Sequence, residues 1–238
     1  MTNQFNPHLA WEAYVSIEED FRKFIYYVPL EREHFDVWSL YLGDLMLRVG
    51  STVDSFFRNA LYSPIMDSAD NIKEIQEIRK KHPDNINISD YRTIFEPFYQ
   101  LSSESVHVLR TKDNVQPFSK FASGKSPNWW GAYNNIKHDR FSNMKEATLG
   151  ATLTALAGLF LLNVLHLETR PLLVDLDIIR AGDYAKEFVK GMLSNRGALD
   201  GLADAYAKTD VFGYVFALKG KLSDDEKARI LSPSFPGY

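Results

Sequence analysis

Cysteine is absent from the 238 residues of this chain. Its absence excludes disulfides, thiolate zinc sites, iron–sulfur clusters and cysteine nucleophiles. A chain without cysteine is compatible with a reducing compartment. The first residues, MTNQFNPHLAWE, contain no basic segment followed by an apolar one, so we expect no secretory signal. These two absences together predict a cytoplasmic protein.

The common sequence signatures of catalysis are also missing. The sequence has no glycine-rich phosphate loop, GxSxG elbow, HExxH pair or dinucleotide fingerprint. No two histidines share a helical face at the spacing of metal ligands, and the six are His8, His34, His82, His107, His138 and His166. We therefore predict neither a cofactor nor a metal site, although ligands from distant parts of the chain could still meet.

One long run has no charged side chain. The 21 residues from Ala147 to Leu167 contain no Lys, Arg, Asp or Glu, which is enough to cross a membrane. Polar residues such as Thr152, Asn163 and His166 interrupt the run. They favour a central buried helix over a membrane span, so we expect no stable membrane association.

Helical spacing of apolar residues predicts an all-α fold. The pattern predicts helices over about 9–28, 35–62, 67–82 and 89–101, then one from Ser126 and a long apolar helix capped by Asn143. VHVL is a plausible short strand. We predict a helical bundle over residues 1–171 with a small mixed C-terminal extension over residues 172–238.

The extension has weaker patterns. LLVDLDII predicts a short extended segment, and helices are expected over about 183–193 and 198–208. VFGYVFAL fits either a strand or an apolar helical turn, and the pattern does not decide between them. Ser223 and Glu226 form a capping box that predicts a final helix.

Charge is unevenly distributed along the chain. The net charge of −4 argues against strong nonspecific binding to nucleic acid. Residues 110–145, however, carry seven basic and two acidic side chains, a local excess of 7 − 2 = +5, interleaved with aromatic residues. This composition suits an RNA-binding surface. It equally suits a loop of solvated lysines whose aromatic residues face the core.

The segment WWGAYNNIKHDR holds the best candidate for a chemical site. On one continuous helix, Trp130, Asn134, His138 and Phe141 would share a face. Asn134 could then orient the ring of His138, and histidine exchanges protons near neutral pH. A purely structural role for this histidine remains the alternative.

At this segment the sequence resembles the HEPN superfamily. The resemblance lies in a helix that starts near a tryptophan pair, carries a polar–histidine motif and precedes a long uncharged helix. The segment YLGDLMLRVGSTVDSFFRNAL also resembles the first core helix of the family, with an acid at Asp54. The match covers about residues 9–168. It implies a helical homodimer that binds RNA or acts as a metal-independent endoribonuclease.

The resemblance also implies roles for particular residues. His138 matches the motif histidine, and Asn134 matches the polar position that follows the motif arginine. Tyr133 occupies the arginine position itself, so the chain departs from the motif there and lacks its positive charge. The remaining predicted substrate-binding residues are Lys137, Arg140, Trp130 and Lys145. The departure leaves open a catalytically inactive dimerisation or protein-interaction module, and a small-molecule pocket between the second helix and the long apolar helix is a more distant alternative.

Overall fold

The computed structural model describes residues 5–193, 199, 202, 204–216 and 222–232. Helices dominate, which confirms the predicted helical class at a coarse level. The helices in chain order are α1 (Pro7–Tyr27), α2 (Leu40–Leu61), α3 (Ile72–Arg79), α4 (Ile88–Tyr99), α5 (Asn128–His138), α6 (Arg140–Asn143), α7 (Leu149–Leu165), α8 (Arg170–Asp175), α9 (Lys186–Met192) and α10 (Asp224–Leu231).

The first two helices begin at polar caps. The side chain of Asn6 accepts a hydrogen bond from the Leu9 amide at the start of α1, and Ser39 does the same for Leu42 at the start of α2. Helix α2 begins later than predicted because the preceding chain is engaged elsewhere. The carbonyls of Phe35 and Val37 accept hydrogen bonds from the first amides of α7.

Helix α7 forms the centre of the molecule and packs against α1, α2 and α5. It is buried along nearly its whole length, in agreement with the predicted core helix. Of the helices that the structure describes, none combines the length and apolar character of a membrane span. The N-cap is Thr148, whose side chain accepts from the Ala151 amide, so the predicted cap at Asn143 is wrong.

A five-stranded antiparallel sheet accompanies the helices. Its strands are β1 (Val106–Val108), β2 (Asn114–Val115), β3 (Ile179–Ala181), β4 (Ala205–Lys208) and β5 (Phe212–Val215). Their order across the sheet is β2-β1-β5-β4-β3. The VHVL strand is confirmed, and VFGYVFAL contains a strand. The helix predicted over 198–208 is wrong at its C-terminal end, where β4 lies, while most of its first half is outside the described residues.

The sheet joins the two predicted parts of the chain. Val108 pairs with Phe212, so a strand from before residue 171 lies beside one from the C-terminal part. Phe212 also stacks on Phe160 of α7, with ring centroids 5.7 Å apart. The division at residue 171 stays a prediction, but both sides of it contribute to one sheet.

Candidate functional site

Helix α5 carries the predicted motif and presents one apolar face to the core. Its N-cap position is Pro127, without a side-chain hydrogen bond, so the predicted cap at Ser126 is wrong. Trp129 is buried, and its indole N–H donates to the carbonyl of Pro117 at 2.9 Å. The neighbouring Trp130 is only 6% exposed. Little of the Trp130 ring is therefore accessible for the predicted contact with a substrate.

Tyr133 belongs to the same packed face. It is 3% exposed, and its ring lies 5.3 Å from the ring of Trp130. A Cβ atom added to Gly50 of α2 would lie 2.2 Å from the Tyr133 ring, so the glycine makes room for this side chain. The tyrosine at the motif-arginine position thus packs α5 against α2.

The motif does not lie on one continuous helix. Asp139 leaves the helical conformation, with φ −144° and ψ 89°, and its side chain accepts a hydrogen bond from the Ser142 amide to start α6. Hydrogen bonds from Ser142 hold the pKa of Asp139 below its usual value. The predicted face that runs from Trp130 to Phe141 is therefore wrong, because Phe141 lies on a separate short helix.

Helix α6 is fixed on both sides. The side-chain amide of Asn143 donates to the carbonyls of Asn135 at 3.1 Å and Asp139 at 2.9 Å. Arg140 forms an ion pair with Asp44 of α2. These contacts hold α6 against the end of α5 and the start of α2.

Several side chains at this junction are exposed, and we call five of them the corner surface: Lys137, His138, Arg140, Phe141 and Lys145. Phe141 is 98% exposed. Because α5 ends at His138, the imidazole lies at the helix terminus in contact with solvent. Of the predicted site residues, the structure therefore exposes one catalytic residue, His138, and three of the four substrate-binding residues, Lys137, Arg140 and Lys145.

Two lysines of the corner surface lie over aromatic rings. The Lys137 ammonium is 5.5 Å from the centroid of Tyr133, and the Lys145 ammonium is 5.9 Å from the centroid of Trp38. Within the described residues, neither lysine has a carboxylate partner at ion-pair distance. Both positive charges therefore remain available to a ligand.

The nearby carboxylates are each engaged. Asp44 pairs with Arg140, and Asp139 caps α6. Glu146 accepts hydrogen bonds from the Asn135 side chain at 3.1 and 3.0 Å. The corner surface is thus a mixed environment in which Lys137 and Lys145 are the cations left without an acidic partner among the residues that the structure describes.

Asn134 does not orient the imidazole in this chain. It is half-buried on α5, and the hydrogen bonds of the described residues include none between Asn134 and His138. The described residues also contain no group of three or more histidine or acidic side chains placed to hold a metal ion.

Asp54, the acid in the resemblance, is part of a small polar cluster. It accepts a hydrogen bond from the hydroxyl of Tyr91 at 2.9 Å and pairs with Arg58 at 3.1 Å. Burial raises the pKa of Tyr91, so its hydroxyl remains a donor. Asp54 lies one helical turn after Gly50, on the side of α2 where Tyr133 packs.

A buried histidine was missed as a polar centre by the sequence reasoning. The Nδ1 atom of His166 lies 2.5 Å from the hydroxyl of Tyr99, and the ring of Phe5 packs 4.2 Å from the imidazole. Burial lowers the pKa of His166, which keeps the ring neutral. A histidine inside an apolar run was the available signal. Its neighbour Glu168 lies 3.4 Å from Nε2, but Tyr99 and Phe5 are distant in sequence.

A second buried polar group ties α1 to the sheet. Glu18 accepts hydrogen bonds from Tyr14 at 2.7 Å and from Thr209 at 2.5 Å. Burial raises the pKa of this carboxyl group. Local spacing on α1 gives no sign of this contact, because Thr209 lies 191 residues further along the chain.

A cavity of about 400 Å³ lies between α1 and α2. Its walls combine small residues with two phenylalanines, and they include Leu9, Ala13, Ser51, Ser55 and Phe56. It differs from the small-molecule pocket considered from the sequence, because no residue of α7 lines it, and none of the motif residues lines it either.

Comparison with protein-family models, curated proteins and solved structures found no match to this chain. The resemblance to the HEPN superfamily consequently depends on the motif and on the helices around it.

Proposed function

We propose that this chain is an HEPN-like RNA-binding protein that binds RNA at the corner surface and, as a homodimer, cleaves it without a metal. The supporting observation is the exposure of His138 beside two lysines that lack acidic partners among the described residues. Histidine with nearby cations suits a phosphodiester substrate, because it can transfer protons while the cations bind phosphate.

Binding would depend on phosphate contacts. Lys137 and Lys145 would each neutralise a backbone phosphate, and Arg140 would add a contact through guanidinium N–H groups that do not bind Asp44. Such binding weakens as salt rises. For a single strand, the logarithm of the binding constant falls by about 0.7 per phosphate contact for each tenfold rise in salt concentration. The acidic chain as a whole would then bind RNA only where these cations cluster.

Cleavage would be the attack of a ribose 2′-hydroxyl on the adjacent phosphorus. The bond to the 5′-oxygen of the next nucleotide would break, leaving a 2′,3′-cyclic phosphate and a 5′-hydroxyl. One group must accept the 2′-hydroxyl proton and another must protonate the leaving oxygen. His138 would perform one of these transfers, and its copy in a homodimer would perform the other.

A panel of mixed-sequence RNAs in EDTA tests this proposal. We expect the wild-type protein to cleave and His138→Ala to lose cleavage, because the variant removes the proton-transfer group. The exposed position should leave the stability of the variant within about 0.5 kcal/mol of wild type. The matched control is His82→Ala, an exposed histidine outside the motif, which should cleave like wild type. Equal cleavage by both variants would refute the role of His138.

The packing of Tyr133 favours a second candidate, a non-catalytic binding module. At the motif-arginine position the chain has a buried tyrosine that brings no charge to phosphate. RNA binding without cleavage by wild type would support a binding protein. Absence of both RNA binding and RNA cleavage in the wild-type protein would favour the protein-interaction module. Sedimentation would then test whether the protein dimerises.

A further inference from the structure

Phe141 combines a backbone that three contacts hold in place with a ring that is exposed to solvent. Asp139 caps α6, Arg140 pairs with Asp44, and the side chain of Asn143 bonds two carbonyls. Between these anchors the Phe141 side chain is 98% exposed. The fold therefore presents one large apolar ring to solvent on a held backbone.

The ring does not belong to a broad apolar face of its own segment. The side chains of His138, Asp139, Ser142 and Lys145 are all exposed around it in the sequence. A stable protein interface needs about 800 Å² on each partner, with an apolar centre. Beside this segment, Trp38 is 44% exposed and lies under the Lys145 ammonium, so aromatic rings alternate with charged groups here. Rings interleaved with charged groups suit a flat aromatic ligand better than a second protein surface, whose centre would be apolar.

The two lysines near Phe141 favour a ligand that carries negative charge. Lys137 and Lys145 flank Phe141 in sequence and have no carboxylate partner within the described residues. Aromatic rings beside cations are the arrangement by which proteins hold single-stranded nucleic acids, with bases stacked on the rings and phosphates on the cations.

We infer that the ligand of the corner surface is single-stranded RNA and that an unpaired base stacks on Phe141. This inference rests on the proposed RNA-binding function and specifies its substrate class. A base inside an A-form duplex already stacks on its neighbours, so only loops, ends and single strands offer a free face. Stacking would also place the adjoining phosphate near the end of α5, where His138 lies.

The experiment measures binding by fluorescence anisotropy at low salt, using His138→Ala as the background so that the RNA stays intact. The probes are an unstructured RNA 12-mer, a blunt duplex of the same sequence and a 12-mer with abasic sites. Variants Phe141→Ala, Phe141→Trp, the double variant Lys137→Ala/Lys145→Ala and the control Lys73→Ala are compared, and thermal melting checks that each folds. Lys73 is an exposed lysine of α3.

We expect Phe141→Ala to weaken binding of the single strand by roughly tenfold or more, as for the loss of one stacked base. Phe141→Trp should retain affinity. The duplex and the abasic strand offer no free base to stack, so each should bind with the same affinity to Phe141→Ala and to the His138→Ala background.

Two outcomes distinguish the stacking on Phe141 from the proposed RNA binding at the corner surface. If the lysine double variant loses affinity but Phe141→Ala does not, stacking is refuted while RNA binding at this surface stands. If neither set of variants differs from Lys73→Ala, both are refuted. Dissociation of a dimer by Phe141→Ala, measured by sedimentation, would instead assign the ring to a contact between copies and overturn the inference.

Discussion

His166 shows how one buried polar residue depends on a partner that is distant in sequence. The hydroxyl of Tyr99 is within 2.5 Å of its Nδ1 atom, and the surroundings are largely aromatic. We expect Tyr99→Phe to keep the ring packing but lower the free energy of unfolding by about 1–3 kcal/mol, because a buried nitrogen loses its hydrogen bond. Urea unfolding followed by circular dichroism measures this change. Tyr27→Phe, at an 81% exposed tyrosine, is the control, and equal stability of both variants would contradict the expectation.

Glu18 gives a prediction about pH. Burial raises the pKa of its carboxyl group in the folded protein above the value in the unfolded chain. The folded state therefore favours the protonated form, and this contribution to stability is lost as the pH rises through the folded pKa. The melting temperature of wild type minus that of Glu18→Gln should fall as the pH rises from about 4, the ordinary glutamate range. A difference that stays constant or grows with pH would contradict the burial of Glu18.

Exposure of the motif residues was easier to predict from the sequence than their packing. The motif pointed to His138, Lys137, Arg140 and Lys145, and the structure exposes all four at one corner. The packing role of Tyr133 was not predictable. It depends on the absence of a side chain at Gly50, which lies on another helix far away in the sequence.

At the scale of elements, the contact between α2 and α5 depends on Gly50. The added methyl of Gly50→Ala would overlap the buried ring of Tyr133, and overpacking of this kind costs about 1–3 kcal/mol. Gly131, on α5 itself, has nothing within 4 Å of the corresponding position. Gly131→Ala should instead stabilise the protein by up to about 1 kcal/mol through helix propensity. Chemical denaturation compares the two variants, and the same sign of change in both would refute the assigned packing.

Helix existence was predictable from periodicity, whereas helix ends were less so. Helices α1, α2 and α7 have strong apolar patterns and were found close to their expected positions. The break at Asp139 was missed because NNIKHDRF contains no proline or glycine. The break depends on a side-chain cap and on the pair between Arg140 and Asp44, which the local pattern does not encode.

At the scale of the whole molecule, the sheet connects the helical core with the C-terminal part. Strand β5 lies between β1 and β4, and Thr209 bonds Glu18 of α1. A chain that ends at residue 171 would leave one side of β1 unpaired and Phe160 without its stacked partner. We expect that fragment to aggregate or to lack a cooperative thermal transition. Cooperative melting with wild-type helicity would instead support the predicted division at 171.

The sheet was the part of the architecture that the sequence predicted least. Its strands are two to four residues long and come from separate parts of the chain. Strands this short carry too few alternations to be distinguished from turns or helix ends. Their pairing is fixed by tertiary contacts, such as Phe212 on Phe160, that appear only after folding.

The most direct test of the RNA-binding proposal is photo-crosslinking to a single-stranded RNA that contains 4-thiouridine, followed by mass spectrometry of the peptides. RNA binding at the corner surface predicts crosslinks within residues 137–145. The double variant Lys137→Ala/Lys145→Ala should reduce the crosslink yield, and Lys73→Ala should leave it unchanged. Crosslinks that fall elsewhere on the chain, or none above the level of an unrelated acidic protein, would contradict RNA binding at this surface.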